Sequence, residues 1–398
     1  MSQFDSNSII AIVGSGAMGT GIAQVAATAG HKVLIFDNNQ QSMERSSGSL
    51  HKILNRLVEK ERLTQAEADE IIGRINYCHN IEDLAEANLV IEAIVENLEV
   101  KKNLFGHLEL IVDDDAILAT NTSSLSIASI CAACSRPERV IGIHFFNPAP
   151  LMPLVEVIPA VQTSGSTLVE ARNLIDSWGK TTVSAKDTPG FIVNRVARPF
   201  YGEALRILEE GIADVPTIDW AIKEIGQFRM GPFQLMDYIG NDINYAVTET
   251  VFEQFYYDPR YRPSFTQKRM VEAGWLGKKT GRGYYDYREG AQNPDPTEDR
   301  ELGKLIVNRI LLMLINEAAD ALYLNISTRD GIDLAMTKGV NYPKGLLQWA
   351  DEIGIGNVLK SLTDLQDYYG EDRYRPSVLL KKMAKDKTTF YPELIMNN

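Results

Sequence analysis

The chain has 398 residues, 44% of them hydrophobic and 23% charged, and a formal net charge of −13. That length and make-up suit a globular protein of two or three domains. So acidic a chain offers no broad cationic surface for counterion release, which excludes a nucleic-acid partner from the expectations.

The opening MSQFDSNS has no basic segment and no apolar core, so it is not read as a leader. Ser8–Val13 reads as a short buried strand. Gly14-Ser15-Gly16-Ala17-Met18-Gly19 follows, then a helical stretch from Thr20 to Ala29 that Gly30 ends, then a strand His31–Phe36 with Asp37 directly after it. A G-x-G-x-x-G between strand and helix, with an acid after the second strand, is the full context of a dinucleotide site. Gly14 allows the turn, Gly16 lets the backbone approach a pyrophosphate, and Gly19 lets helix and strand pack closely. Asp37 suits a ribose hydroxyl and repels a 2′-phosphate, so NAD is expected over NADP.

Gln40 to Asn76 reads as one long helical region rich in Lys, Arg and Glu. It is either a solvated amphipathic excursion or a place where basic residues meet an anionic substrate tail. Apolar runs then resume at Asn88–Val95 and Ala116–Thr120, separated by a helix over Leu98–Ile111. This alternation predicts a parallel sheet covered by helices on both faces. Ligands of such sheets sit at the carboxyl ends of the strands. Glu96, the stretch from Asn121 through Ser123 to Ser124, and His144 all fall there.

Cys131 and Cys134 lie at C-x-x-C spacing in a helical stretch without a second pair and read as two small buried residues. With Cys78 they make three cysteines, too few for a disulfide framework, so a reducing, cytoplasmic setting is expected. The histidines form no cluster of ligand spacing, so no metal is expected.

Val140–Ile158 reads as strand, turn, strand, with His144 at the end of the first run and Glu156 inside the second. A carboxylate in an apolar run is costly unless paired. His144 is the nearest partner, either as a structural ion pair or as part of a site. A helix over Thr167–Trp178 and a strand over Thr181–Ser184 close this domain near Asp187.

From Phe191 the pattern is helical, and it repeats. Ile192-Val193-Asn194-Arg195 returns as Ile306-Val307-Asn308-Arg309. Glu203, Asp219, Gly231, Asp237 and Gly240 return as Glu317, Asp333, Gly345, Asp351 and Gly354. All are 114 positions apart, while Tyr261-Arg262-Pro263-Ser264 returns 113 positions on as Tyr374-Arg375-Pro376-Ser377. A constant offset marks a duplicated helical domain. The glycine-rich tail Gly274–Tyr285 has no counterpart in the second copy. The expected architecture is an α/β Rossmann-like NAD-binding domain (1–187), a first helical domain (188–288), a linker (289–300) and a second, architectural helical domain (301–398). No run approaches the ~20 apolar residues of a membrane span. The closing LIMNN matches no C-terminal address.

The motifs IVGSGAMGTGIA, IEAIVENLEVKKNLF, ATNTSSLSI, RVIGIHFFNPAPLMPLVEVI, KDTPGFIVNR and GWLGKKTGRGYYDY, spanning Ile12 to Tyr287, resemble those of the 3-hydroxyacyl-CoA dehydrogenases, bacterial 3-hydroxybutyryl-CoA enzymes included. The resemblance is to the longer arrangement with a second helical copy. It implies a catalytic His144 with partner Glu156, substrate contacts from Ser123 and Asn194, and cofactor contacts from the glycine loop, Asp37, Glu96, Lys101 and Asn121. It also implies NAD-dependent oxidation of a short L-3-hydroxyacyl-CoA to the 3-ketoacyl-CoA, or the reverse, in β-oxidation or butyrate-type metabolism. Asn194 comes from the helical part, so the site is expected in the cleft between domains, in a monomer or a homodimer. The alternatives are a 3-hydroxyacid dehydrogenase acting without CoA and a non-catalytic NAD-binding scaffold.

Overall fold

A computed structural model describes residues 4, 5 and 7–392, so the closing LIMNN lies outside the described residues. The chain divides into two compact units, residues 1–188 and 189–398.

The first unit is built on one eight-stranded sheet. Its strands are β1 (Ile10–Val13), β2 (Val33–Phe36), β3 (Ile75–Tyr77), β4 (Leu89–Glu92), β5 (Ile117–Thr120), β6 (Val140–Phe145), β7 (Leu154–Pro159) and β8 (Thr181–Ser184). They lie in the order β3-β2-β1-β4-β5-β6-β7-β8. Its helices are α1 (Ala17–Thr28), α2 (Gln40–Glu59), α3 (Gln65–Gly73), α4 (Leu98–Leu108), α5 (Ile127–Cys131) and α6 (Gly165–Ser177). Every residue of β1, β4, β5 and β6 is buried. Strands covered on both faces read as unbroken apolar runs for this reason. The chain turns from one side of β1 to the other between β3 and β4, and that reversal opens the crevice where ligands bind.

Two features differ from the sequence expectation. The region read as one helix from Gln40 to Asn76 is α2, a break and α3. Glu61 takes a left-handed backbone, φ 54°, and Thr64 restarts the helix with a capping box. Its hydroxyl accepts from Glu67 N at 3.2 Å, and the Glu67 carboxylate accepts from Thr64 N at 2.7 Å. The T-x-x-E spacing was the available signal. Ile75–Tyr77 then leaves helix altogether and pairs with β2 as the edge strand β3. Three residues carry too little periodicity to show this; the sheet edge supplies the strand.

The pair β6–β7 is antiparallel in an otherwise parallel neighbourhood. Only residues 146–153 join them, and a parallel crossover needs about a dozen residues or more. The chain therefore turns straight back. In the resulting register His144 faces Glu156 directly.

The second unit is helical: α7 (Val193–Val196), α8 (Arg198–Glu209), α9 (Val215–Trp220), α10 (Pro232–Ile239), α11 (Asn241–Gln254), α12 (Phe265–Glu272), α13 (Arg300–Tyr323), α14 (Arg329–Gly339), α15 (Leu346–Ile353), α16 (Ile355–Tyr369) and α17 (Val378–Asp386). Residues 306–319 of α13 are buried with one exception, so this helix is the core element, apolar nearly all round. It packs against α8.

Two carboxylates sit inside that packing. Glu317 of α13 is wholly buried and accepts from Arg195 Nε at 2.6 Å, Arg260 Nη1 at 3.2 Å and Tyr261 OH at 2.5 Å. Glu203 of α8 accepts from Arg206 Nη1 at 3.1 Å, Arg309 Nε at 3.0 Å and Tyr374 OH at 3.0 Å. The first helical stretch thus sends two arginines and a tyrosine to Glu317, and the second sends an arginine and a tyrosine to Glu203. The stretches also share a local device. Asp219 accepts from the amides of Phe233 and Gln234 and from Tyr285 OH. Asp333 accepts from the amides of Leu347 and Gln348 and from Tyr391 OH. The tail that the second stretch lacks in sequence is replaced here, because Phe390 and Tyr391 donate to Asp351 as Tyr284 and Tyr285 donate to Asp237.

Truncating Glu317 to Ala leaves the Arg195 guanidinium buried without its carboxylate. The expected loss of stability is about 3–5 kcal/mol, read from the denaturant midpoint; a loss under about 1 kcal/mol would show that the pair contributes nothing net.

Candidate active site

The glycine loop joins β1 to α1. Gly14 has φ +105°, and a Cβ there would lie 2.6 Å from Ala93 O; one on Gly19 would lie 1.8 Å from Gly14 O. Both positions are closed to any side chain. Gly16 is different, since a Cβ there would meet nothing within 4 Å. Gly16 precedes α1 without any capping side chain, and the first turn of α1 carries no acid. The amides of Ala17, Met18 and Gly19 are therefore left for an anion. Asp37 stands over this loop. Its carboxylate accepts from Ser15 N and Ser15 Oγ, each at 2.8 Å, and from Asn39 N at 2.9 Å. A cavity of about 540 Å³ collects Gly14, Gly16, Asp37, Ile81, Val95 and Leu104, a size and composition fit for an adenosine.

Beyond the loop, β4 ends in a carboxylate. Glu92 is wholly buried, accepting from Lys101 Nζ at 2.5 Å, Ile94 N at 2.7 Å and Thr120 Oγ1 at 2.7 Å. Lys101 is buried as well and also pairs with Glu96 at 3.3 Å. Glu96 in turn gathers the loop after β5, accepting from Thr122 Oγ1 at 2.6 Å, Ser123 N at 2.9 Å and Ser124 Oγ at 3.2 Å. Burial alone would raise the Glu96 carboxyl; the Lys101 ammonium and the Thr122 and Ser123 bonds outweigh it and hold the group below its ordinary range. Sequence reasoning named Glu96, Lys101 and the stretch from Asn121 through Thr122 and Ser123 to Ser124, and missed Glu92 and Thr120. Glu92 carried a usable signal, an acid inside an apolar run, the same anomaly that drew attention to Glu156.

Asn121 Oδ1 accepts from Phe145 N at 2.8 Å, tying the end of β5 to β6 one residue past His144. His144 lies within β6 rather than after it. Its Nδ1 is 2.7 Å from Glu156 Oε2, with His144 5% exposed and Glu156 fully buried. A carboxylate only accepts, so Nδ1 donates the shared proton. On the far side of the turn, Lys180 Nζ donates to Ala149 O at 2.6 Å and Met152 O at 2.9 Å, pinning the connection. The structure thus places His144 and Glu156 on β6 and β7, Glu96, Asn121 and Ser123 on the loops after β4 and β5, and Lys101 on α4. Asn194 belongs to the second unit, on α7, and its carbonyl accepts from Arg198 Nε at 2.9 Å.

A second cavity, about 980 Å³, opens between α1, α2 and the connection at 147–151. Arg45, Arg56, Lys60, Arg62 and Lys180 line it, and among the described residues no acidic side chain does. In a chain of net charge −13 that segregation is a signal for an anionic ligand. Cys131 and Cys134 carry no such signal: burial pushes their thiols up to about 12 and about 11. Among the described residues no cluster of side chains could hold a metal ion, and no helix is long and apolar enough to cross a membrane.

The model of the NAD-binding domain of 3-hydroxyacyl-CoA dehydrogenase matches residues 9–188. That of the family's C-terminal domain matches twice, at 190–287 and 305–389. A 3-hydroxyadipyl-CoA dehydrogenase of Escherichia coli is 38% identical, over 94% of this chain and 97% of its own. A probable 3-hydroxybutyryl-CoA dehydrogenase of Deinococcus radiodurans is 44% identical, over 69% of this chain and 99% of its own. The crystal structure of 3-hydroxybutyryl-CoA dehydrogenase from Escherichia coli superposes with a TM-score of 0.91 at 36% identity, covering 95% of this chain and 98% of that one.

The lowered Glu96 carboxyl makes a pH prediction. Its bonds stabilise the fold fully above the ordinary value near 4.5 and are lost as pH falls through the depressed one. The stability gap between the unmutated protein and Glu96→Gln, from urea midpoints, is therefore expected to narrow between about pH 5 and pH 3; a gap constant over that window would refute the assignment.

Proposed function

The chain belongs to the 3-hydroxyacyl-CoA dehydrogenase family, and we infer from its site that it oxidises an L-3-hydroxyacyl-CoA to the 3-ketoacyl-CoA, or runs the reverse reduction. The observation that carries this reading is the buried His144–Glu156 pair at 2.7 Å. His144 Nε2 takes the proton of the substrate hydroxyl, a contribution of roughly 10²–10⁴-fold. Glu156 fixes the tautomer through Nδ1 and stabilises the imidazolium that forms. The Ser123 hydroxyl and the Asn194 carboxamide are assigned to the reacting oxygen.

NAD, when bound, supplies the hydride acceptor. The amides at Gly16, Ala17, Met18 and Gly19 suit its pyrophosphate, with Gly14 shaping the turn. Asp37 suits its adenosine ribose, and the same carboxylate disfavours a 2′-phosphate. Glu96 orders the loop from Asn121 to Ser124, and Lys101, clamped between Glu92 and Glu96, acts through Glu96. The basic cavity at Arg45, Arg56, Lys60 and Arg62 is assigned to the phosphates of CoA, which selects the second of the two readings of the α2 region. Three free thiols accord with a reducing, cytoplasmic setting.

A dehydrogenase of free 3-hydroxyacids would need a lysine base where Phe191–Arg195 stands, and none is present. A non-catalytic scaffold would be expected to lack one of His144, Glu156, Ser123 or Asn194. We further propose that residues 301–398 are a copy of the first helical domain. The copy brings Asn308 but no second His144 or Glu156, so each chain has one active site.

The protein is expected to oxidise NADH with acetoacetyl-CoA and not with free acetoacetate; activity on the free acid alone would sink the CoA reading. His144→Ala should lower kcat by about 10²–10⁴-fold while NAD binding, measured by calorimetry, survives. Reversing Arg56 and Arg62 to Glu should raise KM for acetoacetyl-CoA by about tenfold, or 1.4 kcal/mol. The same change should leave KM for the N-acetylcysteamine thioester, which has no phosphates, where it was.

A further inference from the structure

Two phenylalanines follow His144, and they serve different faces of the sheet. Phe145 is 2% exposed and stacks on Trp178 at 6.4 Å within the apolar core. Side chains alternate along a strand, so Phe146 falls on the face that His144 occupies. Its ring centroid lies 4.5 Å from that of His144, with the planes inclined by 55°. Phe146 is only half-buried, so removal of its own surface from water accounts for it less well than for Phe145.

The backbone that carries this ring is fastened on both sides. Just before it, the Phe145 amide donates to Asn121 Oδ1 at 2.8 Å. Just after it, Lys180 Nζ donates to Ala149 O at 2.6 Å and Met152 O at 2.9 Å. The contact with His144 is therefore held in place by groups other than the two rings. On the imidazole, Nδ1 is 2.7 Å from Glu156 Oε2. His144 is 5% exposed and Glu156 is wholly buried, so a charge formed on the imidazole meets little water. A cation is attracted to an aromatic face within about 6 Å of its centroid, more strongly where both are desolvated. The separation of 4.5 Å lies inside that reach.

We propose that Phe146 is a positioning residue of the dehydrogenase reaction, its π face stabilising the imidazolium that His144 becomes on taking the hydroxyl proton. This rests on the reading of His144 as the base. Glu156 fixes the tautomer through a hydrogen bond in the plane of the imidazole, and Phe146 favours the charged form without using either ring nitrogen. In the oxidation the charge is absent from the ground state and develops in the transition state, so the phenyl ring lowers that barrier. The reduction starts from the imidazolium, which the ring stabilises already, so it gains less.

The test places phenylalanine carrying one, two and three ring fluorines at position 146 of the full chain. Each fluorine weakens the attraction of the face for a cation and barely alters its shape. The kcat for oxidation of 3-hydroxybutyryl-CoA should fall in even logarithmic steps, by about tenfold in all. The kcat for reduction of acetoacetyl-CoA should fall less. Phe146→Leu should match the trifluorinated protein, and Phe146→Trp should keep most of the rate. In a His144→Ala background, Phe146→Leu should cost nothing further, because its partner is gone. Thermal unfolding and NAD binding verify that each variant is folded. A flat fluorine series, an equal loss in both directions, or a loss that persists without His144 would mean packing alone. Any of these overturns the proposal while the base reading stands. Near-normal turnover by His144→Ala itself would sink both.

Discussion

The short connection between β6 and β7 is the constraint on which the geometry of the candidate site depends. With only residues 146–153 available, the chain can do nothing but turn back. Antiparallel pairing then puts residues of the two strands directly opposite one another, and His144 meets Glu156 by register rather than by side-chain search. The pair needs no mobile loop to form it. Asn121 from one side and Lys180 from the other hold the backbone that carries it.

The sheet behind this pair imposes its own order. Because both faces are covered, polar groups gather where strands end. Glu92, Lys101 and Glu96 form a chain of charge from the buried end of β4 to the loop after β5. A buried triad of this kind is weak evidence for stability. Its consequence lies in geometry, since it leaves Ser123 and Ser124 one arrangement rather than many.

Legibility followed distance along the chain. The glycine loop, Asp37 and the unbroken apolar strands were readable because each rests on a local pattern, and the His144–Glu156 pair because a polar residue stood out in each of two apolar runs joined by a short turn. The capping box at Thr64 was local too and went unread because the amphipathic pattern runs on across it. The three-residue β3 was not readable, since its neighbour β2 makes it a strand. Glu92 needed its partners Lys101 and Thr120, nine and twenty-eight positions away, to become more than a misplaced acid.

The crossed pairs of Arg195 with Glu317 and Arg309 with Glu203 bind the helical stretches into one body. Were those stretches two identical subunits, any residue acquired for the substrate would appear twice, once where it is wanted and once where it is only a burden. Written into one polypeptide, the two positions mutate separately. Buried polar Arg198 and buried apolar Leu312, 114 positions apart, show two helical stretches of one chain filling like positions with unlike side chains.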